Sequence, residues 1–199
     1  MRRSSVPRNT RRKNDGNSGF VGNRSPAHAG RALAAGREPA CAVRACRADA
    51  EFLSELGEIL ACADVAAAQA GAECLADGDC CKFDLTGQRL FASTGELAMV
   101  TEQAPPHPEA CLALRCPYQE GALCTARDRR PLGCRTFFCE RAWKGAPGTV
   151  GAAAPPREWS GELYERLHAK IRDLHRRRGL PYAYAELTAS LAELLGFQR

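Results

Sequence analysis

Cysteine thiols are the side chains of this 199-residue chain whose number and spacing point to chemistry. Eight of the eleven cysteines lie between residues 74 and 139. Thiolates are soft ligands that select zinc or iron–sulfur clusters over hard cations such as Mg²⁺ and Ca²⁺. The sequence therefore predicts a thiolate metal site with eight candidate ligands: Cys74, Cys80, Cys81, Cys111, Cys116, Cys124, Cys134 and Cys139.

Disulfides and simple reduced thiols are the two alternatives to a metal site. Disulfides belong to oxidising compartments, but residues 1–35 contain no apolar segment of the kind that a secretory signal needs. The count of cysteines is odd, and Cys80 and Cys81 are adjacent, which is awkward for disulfide geometry. We therefore expect a metal site in a reducing cytoplasm. No run approaches the roughly 18 apolar residues of a membrane span, so no membrane partner is expected.

The spacing of the cysteines also bears on which metal is bound. Structural zinc sites usually contain C-x2-C knuckles, and this sequence has none. Wide spacings, an adjacent pair and a nearby proline fit an iron–sulfur cluster better. The sequence thus favours an iron–sulfur cluster, expected to be of the 4Fe–4S type, with zinc as the alternative. His107 lies close to Cys111 along the chain and is a candidate auxiliary ligand.

The charges of the chain are concentrated at its beginning. The net charge is +5, but residues 1–40 carry nine basic and two acidic side chains, so the remainder is close to neutral. A neutral body lacks the basic surface that binding to a phosphate backbone requires, and no nucleic-acid partner is expected. The arginine triplet at 176–178 is explained instead by its place in the last turn of a predicted helix, where the dipole favours cations. Residues 1–40 are predicted to be a disordered basic tail.

The apolar content of the chain is low for a packed domain. Leu, Ile, Val and Phe make up about 18% of the residues. Binding of a structural zinc ion contributes about 10–16 kcal/mol, which is as much as the net stability of a whole domain, about 5–15 kcal/mol. We therefore expect metal binding to decide whether residues 41–199, a single domain, fold.

Apolar periodicity predicts helices on both sides of the cysteine-rich module. Residues 49–69 carry an apolar stripe at helical spacing. Ser93 and Glu96 form a capping box that opens a short helix. Ser160 is predicted to cap a second long helix, and a last helix is expected at about residues 183–195. These two C-terminal helices, within residues 157–196, are expected to form an antiparallel pair against the module.

Short strands are expected inside the cysteine-rich module. Phe83 and Leu85 alternate with polar residues, as in a strand, and Leu90 and Phe91 are the candidates for its return strand. The predicted fold class is α+β and mostly helical. A small cysteine-rich metal-binding module at residues 74–139, with short strands, is packed by flanking helices.

Some side chains outside the ligand set also have predicted places. Cys62 falls near the apolar stripe of its helix and is expected in the core. His168 and His175 are expected on helix surfaces. Phe137 and Phe138 are expected to shield the metal site from water.

Three sequence elements resemble those of the YkgJ-type cysteine-cluster family, whose members are described as putative zinc- or iron-chelating proteins. They are Cys80-Cys81, Gly121-x2-Cys124 and Arg130-Pro131-x2-Cys134-Arg135. The first motif of the family is usually C-x2-C-x2-C-C, in which Cys74 and Cys80-Cys81 match the first, third and fourth cysteines. Asp77 stands at the second position. The resemblance therefore implies that Cys111, Cys116 or Asp77 completes the ligand set.

Three functions are compatible with these observations. The first is a metal-binding protein in which the metal serves structure, redox sensing or electron transfer. The second is an enzyme, because a bacterial flagellin lysine N-methylase carries a similar cysteine module with an iron–sulfur cluster. The sequence contains no glycine-rich G-x-G-x-x-G cofactor loop and no H-E-x-x-H motif to support it. The third is a zinc-stabilised module that binds a protein partner through its C-terminal helices. The sequence favours the first.

Overall fold

The structure of the chain is a computed structural model that describes residues 38–72, 74, 76, 78–137 and 157–197. Most of the predicted tail, together with Asp77, Phe138 and Cys139, lies outside the described residues. The described helices are α1 (Glu38–Ala48), α2 (Ala50–Gln69), α3 (Phe83–Thr86), α4 (Thr94–Val100), α5 (Leu132–Thr136), α6 (Arg157–Arg178) and α7 (Leu187–Leu194). The strands are β1 (Phe91–Ser93), β2 (Gln119–Glu120), β3 (Leu123–Cys124) and β4 (Tyr184–Glu186). Helices dominate and the sheets are small, so the predicted α+β, mostly helical class is confirmed.

Helices α2 and α6 form the frame of the fold. Asp49 is the N-cap of α2, and its side chain accepts a hydrogen bond of 2.9 Å from the backbone N–H of Phe52. The apolar stripes of the two helices face each other, so that their side chains form one core. The buried stripe residues are Phe52, Leu56, Leu60, Leu163, Leu167, Ile171 and Leu174.

The arginines at the end of α6 bind the beginning of α2. The guanidinium of Arg178 donates to the carboxylate of Asp49, and its Nη1 lies 2.8 Å from Oε2 of Glu51. The hydrogen bond from Arg178, together with that from the backbone N–H of Phe52, lowers the pKa of Asp49. Arg177 pairs with Glu55 at 3.2 Å. The helix dipole alone therefore does not account for the triplet, because its side chains also join two helices that are distant in sequence.

The two small sheets differ from the predicted pairing. Strand β1 pairs antiparallel with β4, near the C-terminus, with Phe91 opposite Glu186. The prediction of a strand at Phe83 and Leu85 was wrong, because these residues belong to the one-turn helix α3, with Phe83 buried and Leu85 71% exposed. An alternating pattern only three residues long is too short to distinguish a strand from a helical turn.

The C-terminal helices also depart from two predictions. Ser160 does not cap α6, because that helix already begins at Arg157. The last helix begins at Leu187 rather than near residue 183, since β4 precedes it and the carboxylate of Glu186 caps it by accepting hydrogen bonds from two backbone N–H groups. The two helices do not pack along each other. Helix α6 packs on α2 and α5, whereas α7 packs on the 3-10 helix Pro108–Ala113 and on α4.

Two side chains have burial opposite to that predicted. Cys62 is exposed on α2 rather than buried in the core. His175 is only 1% exposed, with its ring at 4.7 Å from that of Phe52, and not on a helix surface. Burial lowers the pKa of His175 to about 4, and the backbone groups of Pro181 and Leu180 offset this fall only in part. The imidazole is therefore neutral at pH 7, as an apolar core requires. No described helix has the length and apolar character needed to cross a bilayer.

Helix α4 contains the buried carboxylate that connects the helical frame to the cysteine module. The predicted capping box is confirmed: Glu96 Oε2 accepts a hydrogen bond of 2.7 Å from the backbone N–H of Ser93. Its other oxygen, Oε1, accepts one of 2.7 Å from the backbone N–H of Leu132, at the start of α5. Burial raises the pKa of Glu96, although these hydrogen bonds oppose the rise. One side chain thus fixes the beginnings of two helices.

We predict that Glu96→Ala lowers the free energy of unfolding by about 2–4 kcal/mol, because it leaves two buried N–H donors without acceptors. Glu102→Ala is the matched control, since Glu102 forms a partly exposed ion pair with Arg129 and its loss should cost less than about 1 kcal/mol. Urea denaturation followed by circular dichroism measures both values. Equal losses for the two variants would contradict the role given to Glu96.

Candidate metal centre

A cavity of about 90 Å³ is surrounded by cysteine side chains and apolar residues. Its thiols come from four stretches of chain, at residues 74–81, 116, 124 and 134. Arg127 and Arg130 are the two charged side chains among the described residues that line it. The lining thiols are those of Cys74, Cys80, Cys81, Cys116, Cys124 and Cys134.

The adjacent thiols of Cys80 and Cys81 converge because the backbone turns tightly there. Gly78 has a φ of +74°, in the left-handed region that favours glycine, and the 3-10 helix Asp79–Cys81 follows it. The two Sγ atoms lie 3.9 Å apart. On a strand, neighbouring side chains would point to opposite faces. The turn therefore lets both cysteines contribute to one site.

Cys116 is joined to this first segment through its backbone. Its N–H donates a hydrogen bond of 3.1 Å to the carbonyl of Cys81. Two residues later, the buried hydroxyl of Tyr118 donates to the carbonyls of Val100 at 2.9 Å and Gln103 at 3.0 Å. Tyr118 thereby anchors the irregular loop to the end of α4 and holds Cys116 at the wall of the cavity.

Cys124 reaches the cavity from the hairpin formed by β2 and β3. Gln119 pairs with Cys124 across the hairpin, and Gly121 adopts the positive φ of +60° that the turn between the strands requires. The side-chain amide of Gln119 donates to the carbonyls of Gly78 at 3.1 Å and Gly121 at 3.0 Å. One amide thus connects the hairpin to the segment that carries Cys80 and Cys81.

Cys134 lies in α5, which is held in place by charged residues. Asp64 on α2 accepts hydrogen bonds from the guanidinium groups of Arg130 and Arg135. Arg135, whose side chain is 6% exposed, also donates to the backbone carbonyls of Arg130 and Asp128. The backbone N–H of Cys134 donates to the carbonyl of Pro131 at 2.9 Å. The sequence gives no signal for Asp64, which occupies an ordinary polar position on an amphipathic helix.

The thiols around the cavity influence one another's ionisation. Hydrogen bonding to the thiols of Cys116, Cys124 and Cys80 raises the pKa of Cys81. The same bond with Cys81 lowers the pKa of Cys124, and the positive charges of Arg130 and Arg127 act in the same direction. Cys124 therefore ionises more readily than an ordinary thiol, with Cys81 as its hydrogen-bond donor.

Burial and the neighbouring thiols raise the pKa of Cys134. A cation that takes the proton's place offsets the cost of ionising such a buried thiol. Metal binding does this, because the ligand of a metal is the thiolate rather than the thiol. The cavity therefore has the donor atoms of a thiolate metal site, in which Cys124 loses its proton readily and Cys81 and Cys134 hold theirs more strongly than an ordinary thiol.

Some of the predicted ligands are not brought to the cavity. Cys111 is fully buried in the 3-10 helix Pro108–Ala113 but does not line the cavity. His107 does not line it either, and its Nδ1 lies 3.7 Å from the carboxylate of Glu109. Phe137 lies at the rim and is 38% exposed, so it covers the site only in part. Cys139 and Asp77 lie outside the described residues.

The described thiols line a cavity but are not arranged around one common metal position. Among the residues that the structure describes, no group of three or more His, Cys, Asp or Glu side chains is arranged so that it could hold a metal ion as it stands. The ten described cysteines are all free thiols. The donor chemistry therefore fits a soft metal, whereas the distances require the thiols to move inward when it binds.

No family model, no curated protein and no solved structure matches this chain. The resemblance to the YkgJ-type family therefore stays a prediction made on three short sequence elements.

We predict that Cys124 is the cavity thiol alkylated most readily in the reduced, metal-free protein. Because its pKa is lowered, its reaction with iodoacetamide should remain fast as the pH falls from 8 toward 6.5, and Arg130→Gln should slow it. Peptide mass spectrometry measures the rate at each cysteine. Arg129→Gln is the control, because Arg129 pairs with Glu102 and does not line the cavity.

If the alkylation rate of Cys124 depended on pH with a midpoint at the ordinary thiol pKa of about 8.5, the prediction would be contradicted. Equal effects of the two arginine substitutions would contradict the role given to Arg130.

Proposed function

We propose that this chain is a metal-binding protein whose cavity holds an iron–sulfur cluster or zinc through cysteine thiolates. The observation that carries the proposal is the convergence of thiols from four separate stretches of chain on one cavity. A small apolar core has no need of several thiols at one place, because a buried cysteine packs no better than alanine or valine of similar size. Thiolate ligation gives that convergence a physical reason.

The surroundings of the thiols support the same proposal. A centre ligated by four thiolates around one Zn²⁺ carries a net charge of −2, and so does a 4Fe–4S core of charge +2 with four thiolates. Arg127 and Arg130 supply two positive charges at the wall of the cavity. Apolar side chains such as Phe83, Val100 and Leu187 make up much of the remaining wall and exclude water.

The role that the fold favours for the metal is structural. The chain between α4 and α5 contains only two short strands and two 3-10 helices, and most of its backbone has no regular secondary structure. Ordering the backbone of each residue costs about 1–2 kcal/mol, and so irregular a segment buries little apolar surface to offset that cost. Metal–thiolate bonds from Cys116 and Cys124 in this segment to a metal shared with Cys80, Cys81 and Cys134 would supply additional stabilisation.

We predict that Cys80→Ser, Cys124→Ser and Cys134→Ser each lose most of the metal that the wild-type protein retains. Each change removes one thiolate from the cavity, and serine is a much poorer ligand for soft metals. The measurement is elemental analysis together with visible absorption and assay of inorganic sulfide on protein purified without oxygen. Iron with sulfide and a brown colour indicates a cluster, whereas stoichiometric zinc without sulfide indicates a zinc site.

Cys62→Ser is the matched control, because this exposed thiol on α2 lies away from the cavity and its loss should leave the metal content unchanged. Circular dichroism checks that each variant has the same helix content as the wild-type protein, so that a loss of metal is not caused by unfolding. Equal metal content in all four variants, or a wild-type protein that retains no metal, would overturn the proposal.

A further inference from the structure

The turn at Cys80 and Cys81 holds two adjacent thiols in contact. Their Sγ atoms are 3.9 Å apart, so that one thiol can donate a hydrogen bond to the other. Adjacent side chains of an extended chain point to opposite faces, and the contact is therefore a product of the turn. Cys80 is exposed and Cys81 is buried. A reagent from solution thus reaches Cys80 first and finds a second thiol directly behind it.

Several contacts hold the turn in this shape. The backbone N–H of Cys81 donates to the carbonyl of Gly78 at 3.1 Å, and that of Lys82 donates to the carbonyl of Asp79 at 3.1 Å. The ammonium of Lys82 also lies 2.9 Å from the carboxylate of Asp79. Gly78 has a positive φ of +74°, and a Cβ there would lie only 3.0 Å from the backbone Cα of Ala122. The shape of the turn therefore depends on a glycine at this position.

We propose that Cys80 and Cys81 are a redox-active pair that a small disulfide, such as oxidised glutathione, converts reversibly into a vicinal disulfide. The thiolate of Cys80 attacks one sulfur of the small disulfide, forms a mixed disulfide and releases one thiolate of the reagent. The thiolate of Cys81 then attacks the sulfur of Cys80 and releases the second. The protein loses two electrons and two protons, and the two released reagent thiols carry them.

The adjacency of the two cysteines makes such a disulfide easy to reduce again. The Cα atoms of consecutive residues are about 3.8 Å apart, whereas those of most disulfides are roughly 4.4–6.8 Å apart. A vicinal disulfide is therefore strained, and strain favours reduction. Strained or exposed disulfides are the regulatory ones, and disulfides of the cytosol are usually transient bonds of redox sensing or catalysis. The spacing that argues against a permanent disulfide thus fits a reversible one.

Oxidation of the pair would also control the proposed metal site. Cys80 and Cys81 are two of the six thiols that line the cavity. A sulfur in a disulfide no longer supplies the thiolate that a metal binds, so the disulfide and the bound metal exclude each other. This consequence rests on the function proposed above, whereas the oxidation itself does not.

The thiol–disulfide equilibrium of the full chain tests the inference. The protein is reduced, stripped of metal and equilibrated without oxygen and without denaturant in mixtures of reduced and oxidised glutathione. Free thiols are then alkylated with N-ethylmaleimide, and the chain is cleaved before its aspartates. Because Asp79 and Asp84 flank the pair, cleavage releases the peptide of residues 79–83, whose only cysteines are Cys80 and Cys81.

We expect this peptide to carry no alkylating label in the oxidising mixtures and to be lighter than the unlabelled reduced peptide by two hydrogen atoms. Returning the protein to reduced glutathione should restore both labels. A peptide that stays fully labelled, retains glutathione or is joined to a peptide from another part of the chain would overturn the inference. The assay uses metal-free protein, so its result does not depend on the proposed function.

Two glycine substitutions separate the effect of the turn from that of adjacency alone. We expect Gly78→Ala to lower the equilibrium constant for forming the vicinal disulfide about tenfold, because alanine is strained in the left-handed region and the turn that holds the sulfurs together is populated less. Gly87→Ala is the matched control and should match the wild type. Gly87 also has a positive φ, of +67°, but a Cβ there meets nothing within 4 Å. The same constant in Gly78→Ala as in the wild type would overturn the inference.

Discussion

The central constraint on this fold is that thiols from four stretches of chain must be held at one cavity by loops that have little structure of their own. The tight turn at Gly78 lets the adjacent Cys80 and Cys81 point the same way. The backbone bond from Cys116 to Cys81 then connects the second stretch to the first. Protonated thiols attract one another only weakly, so sulfur contacts alone cannot hold the loops together. Cations shared among the thiolates would hold the loops together far more strongly, and we propose that the stability of this region is coupled to metal binding.

The helical frame contributes a small number of anchors, each of which fixes one cysteine-bearing segment. Tyr118 attaches the loop of Cys116 to the end of α4 through two backbone carbonyls. Glu96 fixes the first turn of α5 through the N–H of Leu132. Asp64 on α2 holds the side chain of Arg135, one residue after Cys134. These anchors are buried or partly buried, so water competes with them less than it would at the surface. The frame therefore positions the segments approximately and leaves the final convergence of the sulfurs to the metal.

The sequence predicted the elements whose signals are local and missed the features that depend on tertiary contacts. Helix α2 and the capping box at Ser93 follow from periodicity and from a side chain three residues away. The pairing of β1 with β4 could not be predicted, because the strands are three residues long and more than 90 residues separate Phe91 from Glu186. His175 was misplaced because its position at the end of a charged helix resembles a surface site, although the ring packs against Phe52. Of the eight candidate ligands, the structure brings six to the cavity, whereas Cys111 is buried elsewhere and Cys139 is outside the described residues.

Amide hydrogen exchange on the metal-loaded and metal-stripped protein, both reduced, measures whether bound metal holds the cysteine segments together. We expect that stripping the metal speeds exchange at least tenfold at backbone amides whose hydrogen bonds join the cysteine segments, such as those of Cys116 and Thr125. Amides in the middle of α2 and α6 should change far less, because apolar packing holds those helices together. The same exchange rates in the cysteine segments with and without metal would contradict the claim that bound metal holds this part of the fold together.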